Sequence, residues 1–494
     1  MFGEGRIGVL GLAGLALAAG LSAQEPPVPP EPTAELPAPA DVTPASDAGP
    51  TQGAPTMSLQ EAIAIAFRGN FGLLSAADGV ESARLGVSVA KAQFFPQITP
   101  TLRGDADDRM ASLDVGQRLP WTGGILHGTT SYRSTTREDQ LFPSTSDIRL
   151  TLTQPLLRGF GPKVTQYDLV NSRRSLAGRR RSFTRDQQRL AVDVTAAFFQ
   201  VIRQRQLVAV ARQSQERSLR LKVASEARLE VGLASKLDVL RAELQASQAE
   251  SAAVAAESAL ETALEQFRLL LGLAPTDPVE PEGVDLPADM VATTEPLEVL
   301  LERAIRQRVD LAESQDEVDD AERKLAVSRN RLLPQIDLNL SLIRTGYGTS
   351  FTNSWDGGEY DFRLYFTAAY PLQRSSDLSA RANAELDLTS RQRLLTQKRF
   401  EVEGDVRAAV RDLERIRKSV ELQRKNVEFA EQQHRLATLR YERGLASNFD
   451  VVDAEGNLFS ARTTLVGLLA DYQVARARLQ RATGDLDMTG EISP

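Results

Sequence analysis

Val231-Gly232-Leu233-Ala234-Ser235, followed by Asp238-Val239, returns 212 positions later as Arg443-Gly444-Leu445-Ala446-Ser447, followed by Asp450-Val451. Each stretch interrupts a long run without proline, Lys163 to Ala274 in the first case and Leu372 to Ser493 in the second. Proline is the strongest helix breaker, so these runs read as very long helices. Gly232 and Gly444 supply the left-handed backbone that ends a helix, which makes the two stretches tips of helical hairpins. Lys163 to Val231 has 69 residues, roughly 100 Å of helix at ~1.5 Å per residue. The return from Leu233 to Gly272 reaches only about 60 Å. A second helix over Leu74 to Phe94, stacked end to end on the return, would supply the missing ~30 Å.

The long helices also carry a packing seam. Val402, Val406, Ala409, Leu413, Ile416, Val420, Gln423, Val427, Ala430 and His434 follow a strict 4-3 spacing. That is a ~3.5-residue period, the signature of coiled-coil contact. The first long helix shows it from Leu190 through Ala211. His434 on this seam reads as a helix-contact residue rather than a ligand. The arginine-rich run Arg173 to Arg185 reads as a solvated helix face.

Outward from the tips, two further blocks repeat in the same order. Leu59 to Ile98 aligns without gaps to Leu297 to Ile336, and Thr151 to Leu156 matches Thr367 to Leu372. The chain is therefore expected to hold two structural repeats, 57–290 and 291–485. Each opens with a short helix, and Ser58 with Glu61 forms a capping-box pattern at the first. A second helix ends at Phe95-Pro96-Gln97-Ile98 or Leu333-Pro334-Gln335-Ile336. β-Hairpins follow, over 97–156 and 335–372, and then the helical hairpins 163–274 and 374–484. In the second repeat Ile336, Leu338, Leu340 and Leu342 alternate with polar residues, and Phe362, Leu364, Phe366, Ala368 and Tyr370 do so again after a Gly- and Asn-containing loop. Period-2 alternation marks strands with two unlike faces, as in a barrel wall between lipid and water. A half-buried soluble hairpin has the same pattern.

Composition narrows the function. The chain has 494 residues, 42% of them hydrophobic, and a net charge of −8, which gives no support to nucleic-acid binding. It has no cysteine and only His127 and His434 as imidazoles, so thiol chemistry, disulfides and a histidine metal cluster are not expected. Phosphate-binding loops of the Walker type and nucleophile elbows are not found, so no enzyme activity and no cofactor are expected. Arg6 precedes an apolar stretch from Ile7 to Leu21 that ends in Leu21-Ser22-Ala23, which reads as a signal peptide over 1–23. The proline-rich segment 24–56 reads as a solvated linker, and 486–494 as a C-terminal tail. No later stretch approaches the ~20 apolar residues of a membrane helix, so a membrane span would have to be a β-barrel.

These features resemble the TolC-like outer membrane efflux protein family. Leu59-Gln60-Glu61-Ala62-Ile63, Arg308-Val309-Asp310-Leu311, Gln154-Pro155-Leu156 and the duplicated Gly-Leu-Ala-Ser turns carry the likeness. The resemblance implies a mainly α fold with β, in which long coiled-coil hairpins form a periplasmic α-barrel and β-hairpins form a shared outer-membrane β-barrel. It implies a homotrimer in outer membrane lipid, partnered by a periplasmic adaptor (a membrane fusion protein) and by an inner-membrane pump or secretion ATPase. Efflux and type I protein secretion share this pattern. Val231, Gly232, Leu233, Arg443, Gly444 and Leu445 would be the tips that meet the adaptor. Asp450 and Asp453 match the family's acidic entrance pair, and Asp238 and Tyr441 match positions that tie the closed entrance together. The family's basic partner in that network is replaced by Ala446, so the resemblance implies a closed state held less tightly, or held by another residue such as Arg443 or Lys236. The family usually places two strands in each repeat, whereas the first repeat here holds an additional hairpin over 112–136, which would either widen the barrel or pack elsewhere. A periplasmic coiled-coil scaffold or adaptor without a pore is the alternative, and the duplicated β-hairpins argue against it.

Overall fold

The computed structural model describes residues 56–105, 107–135, 144–283, 286, 290 and 295–486. The expected signal peptide, the linker up to residue 55 and the tail beyond residue 486 lie outside these. The chain opens with β1 (Thr56–Met57), α1 (Leu59–Gly69) and α2 (Phe71–Ala92). Four strands follow: β2 (Gln97–Gly104), β3 (Asp108–Arg118), β4 (Ile125–Thr135) and β5 (Ser144–Pro155). Next come α3 (Pro162–Thr165), the 64-residue α4 (Tyr167–Glu230), α5 (Lys236–Leu271) and β6 (Glu280–Pro281). The second half runs α6 (Leu297–Gln307), α7 (Val309–Arg331), β7 (Gln335–Gly348), α8 (Phe351–Asp356), β8 (Glu359–Ala369), α9 (Ser375–Glu442) and α10 (Asn448–Thr483). Among the described residues no helix is long and apolar enough to cross a membrane.

Capping explains where the short helices begin. The Ser58 amide donates to the Glu61 carboxylate at 2.8 Å and the Glu61 amide to Ser58 Oγ at 3.3 Å, closing the expected capping box. Asn70 caps α2 through Leu73 N and donates to the Leu270 carbonyl at 2.9 Å, tying the start of α2 to the end of α5. That contact places the first residue before α2 against the last turn of α5. At the start of the described residues β1 pairs in parallel with β6, and Met57 is buried.

The cores lie along the long helices. Phe198, Phe199, Val194 and Ile202 of α4 pack with Ile63, Ala66, Phe267 and Leu271. Val402 and Val406 of α9 meet Leu300 and Ala304 of α6, and Leu413, Ile416 and Val420 meet Tyr472 and Ala475 of α10. Six of the ten seam positions of α9, Val402, Val406, Leu413, Ile416, Val420 and Ala430, are buried, and the other four are half-buried.

The arginine-rich run departs from expectation. Arg174 lies 2.8 Å from Asp316, Arg181 pairs with the same carboxylate, and Arg185 lies 2.7 Å from Glu313. Carboxylates on one face of α7 are aligned with this face of α4, so the run bridges two helices instead of facing only solvent.

Six strands make one antiparallel sheet in the order β2-β3-β4-β5-β7-β8. Polar side chains bond across it: Thr129 to Asp114 at 3.1 Å, Thr153 to Asn339 at 3.0 Å, Asn339 to Thr367 at 3.0 Å and Thr345 to Asp147 at 2.8 Å. Between β7 and β8 the expected loop contains the short helix α8, capped by Ser350.

Candidate functional site

The two hairpin turns share one construction. Gly232 and Gly444 have φ of 70° and 72°. Leu233 N donates to Arg228 O at 2.8 Å and Leu445 N to Arg440 O at 2.9 Å, closing six-residue caps on α4 and α9. The chain then re-enters helix through a second device. Ser235 N and Oγ both donate to Asp238, and Ser447 N and Oγ both donate to Asp450. Both are capping boxes, which also place a carboxylate at the positive end of the helix dipole. The Ser235 bonds hold the Asp238 carboxyl below its ordinary range. Leu233 and Leu445 are 77% and 75% exposed, and Val231 and Arg443 are exposed beside them.

Four helices converge just behind the turns. Tyr441 is buried, and its hydroxyl lies 3.0 Å from Ser225 Oγ of α4. Asn448, the first residue of α10, is also buried and donates to Ser225 Oγ at 3.0 Å and to the Asp238 carbonyl at 2.8 Å. Leu221, Ala242, Tyr441 and Val451 make the apolar contact beneath. Asp238 and Tyr441 therefore do sit in one network, but Asp238 joins it through its backbone and spends its carboxylate on Ser235. A cation does stack on Tyr441: the guanidinium of Arg228 lies 4.2 Å from the ring centroid and donates to the Glu442 carbonyl at 2.9 Å. Asp450 and Asp453 are exposed one turn apart on α10, and Asn457 donates to Asp453 at 3.2 Å.

Further along the hairpins lies a buried carboxylate that pattern reading missed. Glu455 of α10 is only 3% exposed. It accepts from Ser214 at 2.8 Å and from Arg217 through both oxygens at 2.8 Å, and His434 Nε2 lies 3.0 Å away. Burial pushes its carboxyl up, but the bonds from His434, Arg217 and Ser214 outweigh this and hold it at about 2. The cluster joins α4 of the first hairpin to α9 and α10 of the second, and His434 is a helix contact as its seam position suggests. The signal was available: Val451, Glu455 and Leu458 follow the same 4-3 spacing, which puts a charge on a buried stripe.

The sequence model of the family described as outer membrane efflux protein matches residues 63–273 and 300–485. The outer membrane protein TolC of Escherichia coli is 22% identical over 317 residues, covering 62% of this chain and 63% of that protein. The chain thus spans somewhat under two thirds of that relative's length. The outer membrane efflux protein BepC of Brucella suis is 24% identical over 449 residues, covering 88% of this chain and 86% of the relative. The solved structure of the Campylobacter jejuni CmeC outer membrane channel superposes with a TM-score of 0.67 at 13% identity, over 87% of this chain and 86% of that one.

Proposed function

The chain belongs to the outer membrane efflux protein family, and on that premise we propose that it is the outer-membrane channel subunit of a tripartite efflux or type I secretion system. Its two repeats, 57–290 and 291–485, would each contribute strands to a shared barrel in outer membrane lipid and a helical hairpin to a shared periplasmic barrel. Three copies form the conduit. It is passive, with energy supplied by an inner-membrane pump or secretion ATPase and contact made through a periplasmic adaptor.

One observation carries the reading: the sheet presents an exposed apolar face and a hydrogen-bonded polar face. In β8, Phe362, Leu364 and Phe366 are 65%, 59% and 67% exposed on one side. Asp361 and Arg363 lie on the other side and pair with each other at 2.5 Å. Large apolar side chains in water are costly, at ~25 cal/mol per Å², whereas against lipid tails they are at home. The α4 helix, ~96 Å long at ~1.5 Å per residue, supports a long reach away from that sheet. The tips end in Leu233 and Leu445, apolar side chains suited to an adaptor. Asp450 and Asp453, repeated round a threefold axis, would ring the entrance with carboxylates that attract cations. The buried contacts of Tyr441, Asn448, Ser225 and Glu455 would hold the two hairpins together in the closed entrance.

The test is extraction and reconstitution. The protein should stay with outer membranes after a high-salt wash, run in detergent at three times the chain mass, and give discrete conductance steps in planar bilayers. Release by salt as a water-soluble monomer would favour the pore-free periplasmic scaffold instead.

A further inference from the structure

Among the described residues the hairpin formed by β3 and β4 has no counterpart in the second half of the chain, where β7 and β8 are the only strands. It does not fold away. β3 pairs with β2 along the whole of β2, from Gln97 to Gly104, and β4 pairs with β5 from Ile125 to Ser134. Its turn is tied to the helical side of the sheet: Gln166 donates to the Pro120 carbonyl at 3.2 Å and Gln154 to the Thr122 carbonyl at 3.2 Å. The strands have 11 residues each, against 12 in β5, so the hairpin has nearly the same height as its neighbour. A membrane strand needs ~9–11 residues when tilted.

In two adjacent rows the two faces continue through it, while two residues further along the apolar face the row Pro100, Leu113, Thr130, Ile148, Arg344 and Tyr360 includes one polar and one charged side chain. Ile98, Val115, Gly128, Leu150, Leu342 and Phe362 stand side by side across all six strands, none of them charged or polar. One register step away, Thr99, Asp114, Thr129, Arg149, Ile343 and Asp361 form the facing row, five of them polar or charged. A hairpin covering the sheet or plugging a lumen would not share this alternation with its neighbours. The edges matter too. The meander has an even number of strands, so β2 and β8 run in opposite directions, and each has one side unpaired in a single chain. In lipid an unpaired strand edge is not tolerated, and β8 against the β2 of the next copy closes antiparallel.

We propose that the β3–β4 hairpin is part of the lipid-facing wall, so that three six-stranded sheets close a barrel of eighteen strands through β8–β2 contacts between chains. This rests on the channel reading above. At ~4.8 Å between strands and ~40° tilt, eighteen strands give a backbone diameter of roughly 36 Å, against about 24 Å for twelve. The added strands widen the outer-membrane section and place Asp114, His127 and Arg133 on its inner face.

The chain has no cysteine, so single thiols report unambiguously. Val115→Cys and Leu126→Cys sit on the proposed lipid side of the hairpin, Ser112→Cys and Ser131→Cys on the lumen side. Leu364→Cys on β8 is the control for the channel itself. Each variant is labelled with a small fluorophore, reconstituted in vesicles, and quenched either by brominated acyl chains or by aqueous iodide. Labels at 115 and 126 should be quenched by brominated lipid within about twofold of the label at 364, and those at 112 and 131 by iodide. Lipid contact at 364 with water contact at 115 and 126 overturns the wall role of the hairpin and leaves the channel standing. Water contact at 364 as well overturns the channel reading itself. Depth-matched cysteine pairs near the helical end, Ile98→Cys with Ala368→Cys and neighbouring combinations, should oxidise to covalent dimers and trimers. Absence of chain-to-chain crosslinks across that set overturns the β8–β2 closure.

Discussion

Replacing Arg217 with alanine tests whether the Glu455 cluster pins one hairpin to the other. Arg217 makes two of the four contacts on a carboxylate that is 3% exposed. The depression of that carboxyl from 4.5 to about 2 corresponds to about 3 kcal/mol at neutral pH. Breaking a buried pair by removing one partner costs ~3–5 kcal/mol when nothing remains, and here Ser214 and His434 do remain. The expected loss is therefore ~2–3 kcal/mol, or roughly 30- to 150-fold in a local opening equilibrium. Global unfolding of a membrane oligomer is seldom reversible, so the measurement should be local. Amide hydrogen exchange in α4 around residues 214–225 and in α10 around 451–462 should speed up by that factor. Amides near Phe198 and Phe267, in a separate core, should not change. The pH dependence has a definite sign. Glu455 has a lowered folded-state pKa, so its contribution is complete above about 4.5 and is lost as pH falls toward about 2. Protection of these segments should fade over that window in the natural protein, and Glu455→Gln should abolish the fading. A rise below about threefold in Arg217→Ala, or an equal rise in the reference core, would refute the idea that this carboxylate links the hairpins.

Three other outcomes follow from the geometry. Gly272→Ala forces a side chain into a left-handed position, φ 81°, and puts its Cβ 2.0 Å from the Gly69 carbonyl; the loss should exceed ~2 kcal/mol and show as earlier melting of helical circular dichroism. Gly484→Ala, with the same backbone strain but Gln307 Cβ at 3.0 Å as the nearest contact, should lose less. Asp450→Asn together with Asp453→Asn should reduce cation preference and weaken block by multivalent cations in planar bilayers; because Asp450 also closes a cap on Ser447, its single variant should cost up to ~1 kcal/mol in helix stability while Asp453→Asn should not. Leu233→Asp with Leu445→Asp should uncouple transport while leaving the trimer intact in detergent, and unchanged transport would count against docking at the tips.

Element types were legible in the chain because local rules decide them. Proline-free runs with a 4-3 seam can bury a stripe only as paired helices, and a single glycine with positive φ ends each first arm. The alternation from Ile336 to Leu342 can separate two faces only as a strand. The additional hairpin could be read from its turn, Pro120 to Gly124, but its place could not. Which strands neighbour one another depends on pairing between residues far apart, such as Thr151 with Ser341, and period-2 alternation is the same for any partner. The tips were found for the same local reason, yet the contacts behind them were not. Asp238 and Asp450 are acids near a helix start in any reading. Only the fold shows that both carboxylates turn back to cap their own helices while Asn448, Ser225 and Tyr441 span the hairpins. Likewise the arginines from 173 to 185 look solvated until α7 lies beside them. A charge in sequence carries no partner, and burial, which decides what a charge is worth, exists only once the helices have come together.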